Sequence, residues 1–131
     1  MSEARARLQV LPNRYRRLFS SGPLPFGFEI GDGWSELIVA LCAHIDAVLK
    51  DHPDARFDVV QVKEKFGALR FYYRLEDVED SVAQAVREAV DLACEASACI
   101  CERCGRPGRI NPDDGWFAAR CEDCRGRRLG S

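Results

Sequence analysis

Four cysteines near the C-terminal end constrain this chain more than any other feature. Cys101 and Cys104 form one Cys-x-x-Cys pair, Cys121 and Cys124 form a second, and sixteen residues separate the pairs. Each pair makes a tight turn that aims two sulfurs at one point, and the intervening loop is long enough to bring the turns together. Such spacing is the pattern of a tetrahedral zinc site, with Cys101, Cys104, Cys121 and Cys124 as ligands of one Zn2+ ion. Gly105 follows the first pair, where a knuckle often needs positive φ. Cys99 competes for a ligand position, but its spacing to Cys104 is wrong for a knuckle pair. A catalytic zinc keeps an open position for water or substrate, whereas four thiolates close the shell. Neither histidine has ligand spacing to a cysteine pair, so the expected zinc is structural.

The remaining sequence bounds the rest of the molecule. At 131 residues and 47% apolar content, the chain fits one compact unit. It divides into a basic N-terminal arm over 1–20, an α+β body over 21–100, a zinc ribbon over 101–124 and a frayed tail over 125–131. No apolar run approaches eighteen residues, so no membrane association is expected. The early arginines lack a following apolar segment, which argues against a secretory signal. Seven cysteines, four at metal spacing, suit a reducing cytoplasm better than a disulfide framework.

The net charge of −2 is unevenly spread. Residues 1–20 carry +4, from five arginines against Glu3, while residues 21–100 carry −8 and residues 101–131 carry +2. An acidic body argues against broad nucleic-acid binding, which draws its affinity from phosphate neutralisation.

Pro12–Asn13 offers a helix start within the basic arm. Ser21–Gly31 is a glycine- and proline-rich loop in which Phe26, Phe28 and Ile30 alternate, either as a short strand or as pins to the core. Asp32 then suits an N-cap. From Trp34 the apolar residues recur at helical period through Leu41, Cys42, Ile45 and Leu49, and Pro53 forbids continuation. Cys42 lies on that stripe as a core residue, and His44 lies at its edge. Residues 57–63 read as a strand whose facing is blurred by Val59–Val60. Leu69, Phe71, Tyr73 and Leu75 then alternate cleanly with Arg70, Tyr72 and Arg74. Lys65–Ala68 suits a hairpin connection, with Gly67 able to take positive φ. An acidic opening at Asp77–Asp80 leads into a second helix, lined with small apolar residues, that runs to about Ser97. Trp116 or Phe117 is expected to pack on the metal-held turns or the second helix.

Two motifs carry a resemblance. Val62-Lys-Glu-Lys-Phe-Gly-Ala-Leu-Arg-Phe-Tyr-Tyr and Cys101-Glu-Arg-Cys-Gly-Arg-Pro-Gly, with Gly115–Trp116 ahead of the second pair, resemble a family of small uncharacterised bacterial and phage proteins. Gly33–Trp34 and Ser97 belong to the same pattern, which covers most of residues 30–124. The resemblance implies the architecture and the four-cysteine site, and brings no activity with it. The arginine-rich first twenty residues lie outside it.

The fold expected is α+β: two helices packed on an antiparallel β-hairpin, with Leu41, Leu69, Phe71, Tyr73 and Val86 in the core, followed by a C-terminal four-cysteine zinc ribbon. No phosphate-binding glycine loop, nucleophile elbow or His-Glu-x-x-His motif is present, so the sequence points away from an enzyme. It points instead to a binding or adaptor module with a protein partner. One alternative is nucleic-acid binding through the N-terminal arginines, a hairpin face of Lys63, Lys65, Arg70, Tyr72 and Arg74, and the ribbon arginines Arg103, Arg106 and Arg109. The plainer reading of that face is the solvated side of an antiparallel sheet. Another alternative is an immunity or inhibitor protein whose acidic helical surface blocks a basic partner.

Overall fold

The alternation over residues 57–75 becomes a long antiparallel hairpin in the computed structural model, which describes residues 2–111 and 117–126. The elements run α1 (Glu3–Gln9), α2 (Leu11–Arg14), β1 (Phe28–Glu29), a single 3-10 turn (Asp32–Trp34) and α3 (Ser35–Leu49). They continue with β2 (Arg56–Lys65), β3 (Ala68–Glu76), α4 (Asp80–Ser97), β4 (Arg109–Ile110), β5 (Ala119–Arg120) and α5 (Glu122–Gly126). The expected α+β class holds. The main sheet has three strands in the order β1-β2-β3, because Phe28–Glu29 pairs in parallel with Val62–Lys63. Phe28 packs against the core and Ile30 is buried in it, while Phe26 is exposed.

A bulge between Val59 and Gln61 resolves the facing of β2. The extra residue, Val60, lets Phe57, Val59 and Val62 all reach the core although their spacing breaks strict alternation. Opposite them, Leu69 and Phe71 are buried and Tyr73 is half-buried. The outer face pairs Lys63 with Arg70, Gln61 with Tyr72 and Asp58 with Arg74.

Helix α4 lies along β3 and against α3, and α3 packs in turn on α1. Its buried face of Val82, Val86, Val90 and Ala93 is narrow enough for close approach. β3 is an edge strand, and α4 covers part of that edge. The buried Ser97 hydroxyl accepts from the Leu69 N–H at 2.8 Å and donates to the Cys94 carbonyl at 2.6 Å. The Phe71 N–H lies against the Cys94 thiol. An uncovered edge would invite pairing with another chain.

The first twenty residues are more ordered than an arm. Helix α1 begins at Glu3, nine residues before Pro12, with the Ser2 hydroxyl capping the Arg5 N–H. Leu8, Leu11 and Leu18 are fully buried, which anchors the segment on the body. Three of its five arginines work inward, while Arg14 and Arg16 are exposed. Arg5 binds the Phe28 and Ile30 carbonyls and pairs with Asp32, and Arg7 pairs with Glu36. Arg17 donates to the carbonyls of Leu49, His52 and Ala55, closing the C-terminal end of α3. Asp32 is therefore not the N-cap of α3: it sits in the 3-10 turn and receives Arg5.

Cys42 is buried on the α3 stripe, and burial, followed by the nearby Asp46 charge, pushes its thiol up to about 12. At that value it is inert. His44 is exposed. Replacing Ser97 with alanine leaves the Leu69 N–H buried without its partner. Ser97→Ala should destabilise the protein by about 1–3 kcal/mol. A fall in the urea midpoint with an unchanged slope would show it.

Candidate metal centre

The two cysteine pairs converge. Cys101, Cys104, Cys121 and Cys124 place their sulfurs within 4.8 Å of one another. The Cys104 and Cys121 sulfurs are 3.5 Å apart, and none of the seven cysteines is in a disulfide. A tetrahedral metal with bonds of about 2.3 Å sets sulfurs roughly 3.8 Å apart, so the donor set fits one ion. Cys101, Cys121 and Cys124 are buried and Cys104 reaches the surface. Cys99 is exposed and outside the cluster.

Local structure accounts for the convergence. After Cys101 the chain turns, the Gly105 N–H donates to the Cys101 carbonyl at 2.8 Å, and Gly105 takes a φ of 85°. The second pair sits at the start of α5, where the Cys124 N–H points at the Cys121 sulfur at 3.4 Å. β4 and β5 pair antiparallel between the two turns, Arg109 with Arg120 and Ile110 with Ala119. Arg125 and Gly126, expected in a frayed tail, lie in α5. The rest of that tail, 127–131, lies outside the described residues, as do Trp116 and the acidic pair Asp113–Asp114.

Four thiols so close cannot all ionise without a cation. Burial raises the Cys101 thiol, but the N–H groups of Cys121, Cys104 and Arg103 outweigh it and hold that thiol below its ordinary range. Burial pushes the Cys124 thiol up, and the neighbouring Cys121, Cys101 and Cys104 sulfurs add to the rise. A divalent ion among them removes the conflict, because each coordinated thiol deprotonates.

The centre is fastened to the body by residues that spacing alone did not single out. Glu102, inside the first pair, accepts the Gly33 N–H on its backbone carbonyl at 2.7 Å and the Gly31 N–H on its carboxylate at 2.8 Å. Its own N–H donates to the Ala119 carbonyl at 3.0 Å, and Arg120 lies 3.6 Å from its carboxylate. Burial raises the Glu102 carboxyl above the ordinary range, while the Gly31 N–H and Arg120 pull it back. Trp34, fully buried, donates its indole N–H to the Ile100 carbonyl at 2.9 Å. The approach is close enough to demand glycine, since a Cβ on Gly33 would stand 2.1 Å from the Cys101 carbonyl oxygen. The Gly31-Asp-Gly-Trp run was the available signal, but nothing in its spacing names its partner 70 residues away.

The expected basic surface divides in two. Lys63, Lys65, Arg70, Tyr72 and Arg74 lie together on the outer face of the hairpin. Arg106 pairs with Asp123 and Arg109 with Glu122, while Arg103 is exposed on the first turn. The N-terminal arginines 5, 7 and 17 are occupied internally and do not extend it. Phe117, expected on the cysteine turns or on α4, packs edge-on against Phe66 at the hairpin tip.

No protein-family model, curated protein or solved structure matches the chain. Among the described residues, no helix is long and apolar enough to cross a membrane.

Gly33→Ala tests the fastening. The added methyl must separate the 3-10 turn from the Cys101–Glu102 backbone, so a loss of about 3 kcal/mol is expected in urea unfolding of the metal-loaded protein.

Proposed function

We propose that the ion is zinc, that its role is structural, and that the chain is a non-enzymatic binding or adaptor protein of the reducing cytoplasm. The observation that carries this is the union of the donor set with the body. The backbone of the first cysteine pair is itself a hydrogen-bonding and packing partner of the Gly31–Trp34 turn. A site used for chemistry would instead keep a ligand position free and present it to a cleft. Four thiolate donors saturate a tetrahedral ion and weaken its Lewis acidity. Tetrahedral all-sulfur sets suit zinc or iron, and zinc adds no redox chemistry to a closed clasp. The resemblance to the small bacterial and phage proteins belongs to the same reading and supplies no activity.

With zinc bound, the two turns become a zinc ribbon around β4 and β5. Such a ribbon has too little apolar core to hold itself. Native mass spectrometry of the purified chain should show one zinc, lost on chelation and in Cys101→Ser. Loss should also occur as the pH falls and protons compete for the thiolates. On chelation the Gly31 and Gly33 amides should lose hydrogen-exchange protection together with residues 101–111, while Leu69 under α4 keeps it. An iron chromophore, unchanged exchange after chelation, or metal-dependent turnover of a substrate would each defeat this proposal.

A further inference from the structure

Two features that work against stability meet on one side of the β2–β3 hairpin. Its turn residues, Phe66 and Gly67, have φ of 55° and 86°. Asparagine or glycine suits the first of these positions, and a phenylalanine there carries a backbone cost. Burial of the ring does not offset that cost, because Phe66 is 63% exposed. Across the ladder, Lys63 faces Arg70 directly, where like charges repel.

The cations of this face stay unpaired. Among the described residues, Lys63, Lys65, Arg70 and Arg74 form no ion pair, whereas Arg5, Arg7, Arg56, Arg106 and Arg109 all do. The nearby carboxylates are engaged elsewhere. Asp58, opposite Arg74, accepts from the Ser21 N–H at 3.0 Å and hydroxyl at 2.6 Å, and Glu29, beside Lys63, accepts from the Gln61 amide at 2.9 Å. Aromatic rings interleave with the cations. Tyr72 is 45% exposed, and the Lys65 ammonium lies 5.6 Å from the Phe66 ring centroid. Phe117 buttresses Phe66 edge-on at 6.2 Å, and Ile110 and Ala118 crowd Gly67 beneath it.

We propose that this surface binds single-stranded nucleic acid. Phe66 and Tyr72 supply stacking faces for unpaired bases, and Lys63, Lys65, Arg70 and Arg74 neutralise phosphates. An acidic polypeptide would use the cations but gives no role to a strained, outward phenylalanine. A duplex hides the base faces that the rings require. The proposal rests on the reading of a zinc-clasped binding protein, since Phe117, Ile110 and Ala118 come from the metal-held segment.

The test is fluorescence anisotropy of a labelled oligothymidine of about 12 nucleotides with the zinc-loaded full chain. Saturable binding at low salt is expected, with log K falling against log salt at a slope of about −2 to −3. A duplex of the same length and polyglutamate should bind at least about tenfold more weakly. Phe66→Gly should weaken binding roughly tenfold. It should leave the melting temperature equal or higher, because glycine relieves the backbone strain. Arg70→Gln should make the salt slope shallower by about 0.7. No binding at low salt overturns the proposal, as does binding that both substitutions leave intact. Polyglutamate binding as tightly as oligothymidine also overturns it, in favour of an acidic protein partner. Native mass on the same samples keeps the two readings apart: a zinc-free but well-folded wild type sinks the structural zinc, while the anisotropy still decides the surface.

Discussion

The hydrogen bonds between the Gly31–Trp34 turn and the Ile100–Glu102 backbone hold the four-cysteine segment to the rest of the structure. They run from both sides of one short stretch: the Gly33 N–H to the Glu102 carbonyl, the Gly31 N–H to its carboxylate, and the Trp34 indole to the Ile100 carbonyl. Around them, α3 starts from the same turn and α4 ends at Ser97, three residues before Ile100. Both helices are therefore positioned by one contact. Removing water from so many backbone groups is tolerable only because each has a partner.

The second organising contact lies at the far end of α3, where Arg17 takes up the carbonyls that the helix leaves open. Together with Arg5 it changes the meaning of the basic charge at the start of the chain. Charge that reads in sequence as an outward patch serves as internal wiring between α1, the 3-10 turn and α3. The hairpin's outer face gathers four cations on one surface, and its electrostatics differ from those of the acidic body as a whole.

Much of this was legible from residues alone, for identifiable reasons. The four cysteines needed only spacing. The α3 and α4 stripes and the β3 alternation follow from period, and they placed Leu41, Leu69, Phe71 and Val86 correctly in the core. Tyr73 is only half-buried, packed against the core while its ring stacks on Phe57. Other features hid because they depend on distant partners. Helix α1 looked like a polar arm since a single buried leucine anchors it. The parallel pairing of Phe28–Glu29 is too short to announce itself, and the inward arginines carry no local mark. The expectation that Trp116 or Phe117 packs on the cysteine turns or on α4 leans on proximity in sequence, a poor guide across a loop: Phe117 meets Phe66 at the tip of a hairpin.

The fastening of Gly31 to Glu102 spans 71 residues of chain. Closing so wide a loop from an open coil carries a large entropic cost. That cost falls once the hairpin and the two helices have already brought the ends close. On a ribosome, the turn at Gly31 emerges well before Glu102, and the second cysteine pair comes after both. A full four-sulfur donor set exists only once Cys121 and Cys124 have arrived. A four-sulfur grip on one ion is therefore open only to chains translated through the second pair.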